Sequence, residues 1–214
     1  MSKKSKPRSA LSGAGRKERL TDRKRAAIVQ AAVEAFQQYG YYAASINQIA
    51  EAAGVSKRTL YNHFDSKEAL FDAIIEELVF RVGQLPACRF DASCDLAGQL
   101  TELARTEVDF LVSEDVLALA RAGLSRVLVE PDAGQQVDQK FSLRRVTDWM
   151  KEAQAAGCLL EADAEFAAMQ FVGLLRTFTF WPSIVHGEPP PSRRKRNQIV
   201  AHTVEMFLCR YEVK

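Results

Sequence analysis

Residues 45–64, SINQIAEAAGVSKRTLYNHF, signal two very short helices back to back, and few architectures can hold such helices at all. Ser45 followed three residues later by Gln48 is a capping box, in which each residue satisfies a backbone N–H of the other. Ile46, Ile49, Ala50 and Ala53 recur at helical spacing and give the first helix its buried face. Gly54 ends it, because glycine enters the left-handed conformation that a side chain resists. Ser56 then caps a second helix expected to run through about His63. Helices this short are marginal alone, so they must be packed at a fixed angle. The small Ala50 permits a close crossing, and Val55 and Leu60 plug the angle between the two.

The second helix presents a polar face of a particular chemistry. Lys57, Arg58 and Thr59 stand at its start, with Tyr61, Asn62 and His63 one turn on. Arginine pairs bidentately with guanine O6/N7 and asparagine with adenine N6/N7. Lysine, threonine, tyrosine and the open N–H groups of a helix start suit phosphates. Charge is distributed to match: residues 1–25 carry ten Lys/Arg against two acidic residues, while the rest of the chain carries 19 against 25. A basic end on an acidic body favours a polyanionic partner met through the N-terminal part. A small helical packing motif with a solvated polar surface is the duller reading of the same residues.

Around this pair the whole chain reads as helix. Residues 1–21, rich in Ser, Gly, Lys and Arg, are expected to be a disordered basic arm. From Asp22 a helix is expected, with Ile28, Ala32, Ala35, Phe36 and Tyr39 on one face and Gly40 as its stop. Asp65 or Ser66 caps a longer helix through about Val82. Further helices are expected near 95–112, 115–129, 133–156, 163–185 and 192–211, punctuated by Pro131, Gly157, Gly187 and the run 189–191. No segment alternates with the period of a strand.

Residues 26–71 resemble the N-terminal domain of the TetR/AcrR family of bacterial regulators. The resemblance is carried by Ile28-x-x-Ala31-Ala32-x-x-x-Phe36, Gly40-Tyr41, Ile46-x-x-Ile49-Ala50, Ala53-Gly54-Val55-Ser56 and Leu60-Tyr61-x-His63-Phe64-x-Ser66-Lys67-Glu68-x-Leu70. It implies a three-helix, helix-turn-helix DNA-binding domain over 22–71, followed by a larger all-α ligand-binding and dimerisation domain over 72–214. It further implies phosphate contacts from Ser45, Tyr61, His63 and Lys67, and base contacts from Arg58, Thr59 and Asn62. Ser45 stands where relatives carry threonine and keeps the hydroxyl; Arg58 stands where they often carry a small residue. Ser56 and Lys57 complete the expected DNA-binding set.

The later part, with Trp149-x-x-x-x-Gln154-x-x-Gly157 and Ala167-x-x-Gln170-Phe171-x-Gly173-Leu174-Leu175-Arg176, is similar to the AefR-like C-terminal subclass. By that likeness Phe110, Trp149, Phe171, Leu175, Phe178 and Trp181 line a cavity for a small apolar or amphipathic ligand, although each could equally be ordinary core. Arg121 and Arg176 are the charges expected on half-buried helix faces. Two stripes, one through Phe171, Leu174, Leu175 and Phe178, the other through Ile199, Thr203, Met206, Phe207 and Arg210, are expected to build a homodimeric four-helix bundle.

These features point to a sequence-specific repressor that binds a palindromic operator in double-stranded DNA and is released by a small molecule. A cell-organising DNA-binding protein with no ligand is the alternative. No Ser/His/Asp set, metal-ligand cluster or Gly-rich phosphate loop supports an enzyme, a cofactor or a metal. Cys88, Cys94, Cys158 and Cys209 lack paired spacing and read as free thiols. No apolar run reaches the ~20 residues of a bilayer span, and a cytoplasmic protein, nucleoid-associated when bound to DNA, is expected.

Overall fold

The computed structural model describes the backbone of residues 11–134 and 139–214, and the side chains of 20–133 and 143–214. The described residues form α1 (Leu11–Ala43), α2 (Ile46–Ala52), α3 (Lys57–Tyr61), α4 (Lys67–Gly83), α5 (Leu96–Leu111) and α6 (Glu114–Val127). A 3-10 turn (Pro131–Gly134), α7 (Gln139–Ala155), α8 (Ala164–Thr179), α9 (Trp181–Val185) and α10 (Arg193–Tyr211) follow. Among them there is no strand, as the absence of period-two alternation requires, and no helix is long and apolar enough to cross a membrane. The chain divides into two compact units, Met1–Ile74 and Ile75–Lys214.

In the first unit, Ile28, Ala32 and Phe36 of α1 close over Ile49 of α2, Leu60 of α3 and Leu70, Phe71 and Ile74 of α4, all essentially buried. One expectation needs correcting here. The helix does not wait for Asp22 but is already formed at Leu11, so residues 11–21 are helical despite Gly13 and Gly15. The rest of the expected basic arm, residues 1–10, lies outside the described residues. Gly40 stops the helix as expected: its φ of 77° breaks the regular dihedrals, and Tyr41–Ala43 make one more turn beyond it. Tyr41 fills that corner, edge-on to Phe36 at 5.2 Å and to Phe71 at 5.7 Å. Ser66 rather than Asp65 caps α4, its hydroxyl accepting from the amide of Ala69 at 3.2 Å.

The second unit is a bundle in which α5, α7, α8 and α10 surround one core. Leu100 and Leu103, Trp149 and Met150, Phe171 and Leu175, and Phe207 supply its bulk. Each helix alternates buried and exposed positions as the 3.6-residue period demands: Leu100, Leu103, Ala104, Glu107, Val108 and Leu111 all lie on the inner side of α5. Glu107 is the charged member of that stripe. Only 3% exposed, it is paired with Arg145 of α7. An isolated bridge between Leu159 and Glu212, with the amide of Leu160 donating to the Tyr211 carbonyl at 2.7 Å, ties the end of α10 to the α7–α8 turn.

Two further boundaries differ from expectation. The helix expected over 163–185 is two: α8 ends at Thr179, Phe180 stands between the helices, and Pro182, which has no N–H to continue the ladder of α8, sits in the first turn of α9. The helix expected over 133–156 begins only at Gln139, preceded by the 3-10 turn; residues 135–138 lie outside the described residues.

Candidate nucleic-acid interface

α2 and α3 are held as the sequence chemistry requires. The Ser45 hydroxyl accepts from the amide of Gln48 at 3.2 Å, and the Ser45 amide donates to the Gln48 side chain at 3.0 Å, closing the capping box. Gly54 adopts a φ of 65°, and the amide of Val55 returns to the Ala50 carbonyl at 2.9 Å. Ser56 then caps α3, accepting from the amide of Thr59 at 3.1 Å. The turn is tight because its only left-handed residue is a glycine and both caps are serines.

Eight of the nine expected contact residues fall along α2's cap and α3. Ser45, Ser56, Lys57, Arg58, Tyr61 and Asn62 are exposed, while Thr59 and His63 are half-buried. α3 is shorter than expected, ending at Tyr61 with Asn62 as its C-cap. Thr59 is turned back toward the cap, its hydroxyl 2.9 Å from that of Ser56. The Lys57 ammonium lies 6.0 Å from the Tyr61 ring centroid, at the limit of a cation–π contact. Arg58 projects from the first turn as the largest exposed donor set on α3. In the same unit, the Arg25 guanidinium of α1 sits 5.2 Å over the Phe64 ring.

Lys67 is placed differently. Its ammonium donates to the carbonyls of Tyr42 at 3.1 Å and Ala44 at 2.8 Å, and lies 4.7 Å over the Tyr41 ring. Burial pushes its pKa down, and neighbouring Glu68 works in the opposite direction. Tyr41 is the partner of Lys67 that sequence reasoning missed: the Gly40-Tyr41 pair was visible, but nothing in its spacing shows that the ring lies beneath a lysine 26 positions on. The Tyr41 hydroxyl also donates to Glu68 at 3.1 Å.

The six residues expected to line a ligand cavity fall into two groups. Trp149, Phe171 and Leu175 are 0% exposed in the packed core, and Phe110 is half-buried. Phe178 and Trp181, by contrast, are 54% and 44% exposed. Phe178 lies in the last turn of α8, and the break at Phe180 puts Trp181 in a separate helix, α9. Beside Phe178 an open groove of ≈ 190 Å³ is lined by Leu174, Phe178, Ile199, His202 and Met206 among others. The expected dimer stripes split likewise: Phe171, Leu175, Ile199, Thr203 and Phe207 face inward, whereas Phe178, Met206 and Arg210 face out. Arg121 and Arg176 are half-buried as expected. Arg121 donates to the Ser183 carbonyl at 3.1 Å, and burial lowers the Arg176 pKa against the opposing pull of Glu107.

Comparison with known proteins agrees with this geometry. The sequence model described as bacterial regulatory proteins, tetR family, matches residues 28–74, and that of the AefR-like transcriptional repressor C-terminal domain matches residues 98–213. The HTH-type transcriptional regulator RutR of Escherichia coli K12 is 39% identical over 157 residues, covering 69% of this chain and 71% of RutR. A TetR family transcriptional regulator from Pseudomonas syringae superposes with a TM-score of 0.80 at 33% identity, over 91% of this chain and 100% of the other. The flavonoid-responsive regulator FrrA superposes with a TM-score of 0.70 at 30% identity, over 90% and 99%. Both portions of the sequence thus match the same kind of protein in the same order, and the chain belongs to the tetR family of bacterial regulatory proteins, as a DNA-binding transcriptional regulator.

Proposed function

We propose that this regulator is a repressor that binds a palindromic operator as a homodimer and leaves it when a small apolar or amphipathic molecule enters the helical body. The observation that carries the DNA half is the exposed run Ser56, Lys57, Arg58, Tyr61 and Asn62 on a helix capped at both ends of its turn. Arg58 and Asn62 read base edges; Ser45, Tyr61 and His63 hold phosphates, and Thr59 serves bases through whatever its cap bond leaves open. One such helix gives modest affinity, and two joined rigidly gain from effective concentration. Half-sites then lie about 34–36 Å apart or a multiple of it.

The second copy is met by the outer face of α8 and α10. Phe166, Met169, Phe178 and Met206 are each about half exposed there, and helices apolar on both faces are normally covered on both. Phe178 and Trp181 belong to this outer face, while Phe110, Trp149, Phe171 and Leu175 are the residues that meet the ligand. In support, the Trp149 indole N–H is fully buried with no hydrogen-bond partner. An unpaired buried donor is costly, and a ligand acceptor would satisfy it. The flavonoid-responsive relative is consistent with such chemistry. The regulator works on chromosomal DNA in the cytoplasm.

The test is linkage. An operator is mapped by footprinting, a ligand is found by thermal shift, and each is titrated in the presence and absence of the other. Ligand must weaken operator binding, and operator must weaken ligand binding by the same factor. Equal ligand affinity for the free and operator-bound protein would refute the release mechanism.

A further inference from the structure

The position of Lys67 at the start of α4, among residues expected on DNA phosphates, hides a different task. An ammonium has three N–H donors and no acceptor. Two are taken by the carbonyls of Tyr42 and Ala44, at 3.1 and 2.8 Å, and the ammonium rests on the face of Tyr41 at 4.7 Å. The Tyr42 carbonyl belongs to the extra turn beyond Gly40, where the last C=O groups of a helix have no partner within it, and Ala44 directly follows that turn. A cation is favoured there by the helix dipole as well. Ala44 is 3% exposed and immediately precedes Ser45, the cap of α2. The floor of the site is equally fixed, since Tyr41 is 4% exposed and wedged between Phe36 and Phe71.

We infer that Lys67 is a positioning residue rather than a phosphate anchor: it brackets the α1–α2 corner to the first turn of α4 and so sets where α2, and with it α3, begins. This rests on the reading that α2's cap and α3 face DNA. A phosphate anchor and a corner bracket have different signatures. Removing an anchor weakens every DNA sequence alike and flattens the salt dependence by about 0.9 for each phosphate no longer neutralised. Removing the bracket misaligns base-reading side chains, so specific binding suffers most while the phosphates are still held.

The experiment uses the full-length chain, a duplex enriched by the wild-type protein from a randomised pool, and a scrambled duplex of the same length. Lys67→Met is measured on both across a salt series, with concentrations corrected for the active fraction. The expected result is a fall of about tenfold or more in the ratio of specific to scrambled affinity, with the salt slope on the scrambled duplex unchanged. Lys57→Met, on exposed α3, is the control that should flatten the slope. A Lys67→Met protein with a wild-type ratio and a flattened slope overturns the inference in favour of a phosphate anchor. A wild-type ratio and slope with a reduced active fraction overturns it in favour of a purely structural role. If the methionine chain does not fold, Lys67→Leu, which likewise has no donor to offer the two carbonyls, takes its place, and a ratio held at the wild-type value there also overturns the inference. If the wild-type protein enriches no sequence at all, it is the DNA-reading assignment that has failed.

Discussion

The two units put their large side chains to opposite uses. In residues 20–74 the polar groups proposed to meet DNA stand outside, on α2's cap and α3, over a buried apolar core. In residues 75–214 the aromatic groups are divided between a sealed interior and an exposed flank. Trp149 and Phe171 are 0% exposed, while Phe178 and Trp181 are 54% and 44% exposed. Surface function built on a capped motif can change residue by residue without loss of the fold. Function built into a core cannot, because each side chain there also holds the bundle together.

The largest effect that would sharpen this contrast is Trp149→Ala. The ring is wholly buried in the core shared by α5, α7, α8 and α10 and sits edge-on to Phe90 at 5.4 Å. Its removal should destabilise the protein by about 3–5 kcal/mol, read by urea unfolding. A loss below about 1 kcal/mol would mean that the site is already open to solvent or ligand, and the division between sealed core and working surface would be wrong for this residue.

Arg58→Ala should do the reverse. Exposed on α3, it should leave unfolding within about 0.5 kcal/mol of wild type while relaxing base preference at one position per half-site, by about 1–3 kcal/mol. Binding-site selection on the variant checks this. Unchanged selectivity would take Arg58 out of base readout and leave Asn62 as the principal reader on α3.

How much of this was legible in the sequence follows from the range of the interactions involved. Ser45, Gln48, Gly54, Ser56 and Leu60 specify their own geometry through bonds that span five residues or fewer, and each is where its spacing placed it. The start of α1 was not legible, since no cap marks Leu11 and two glycines argue against helix there. Lys67 announced a cation but not its direction, because its partners lie 23 to 26 positions earlier in the chain. Phe178 carried the right period for the inner face of α8, yet whether that face is covered at its end depends on where α10 lies beside it. Periodicity gives a side chain's bearing, and only tertiary packing says what it meets.

Gly54→Ala tests the local rule at its narrowest point, with the smallest effect expected. A methyl group there would touch nothing within 4 Å, so the whole cost lies in the backbone at φ +65°. Holding an L-residue in the left-handed region costs about 1–2 kcal/mol, partly offset by about 0.4–1 kcal/mol because alanine narrows the unfolded ensemble. The net loss should be about 1 kcal/mol, seen as a lower unfolding midpoint. Operator affinity corrected for the folded fraction should be little changed, because the Ser45 and Ser56 caps on either side of the turn remain. If affinity falls much further than stability does, the α2–α3 angle depends on more than its caps and its Val55 and Leu60 plugs, and the surface unit would be as interdependent as the core.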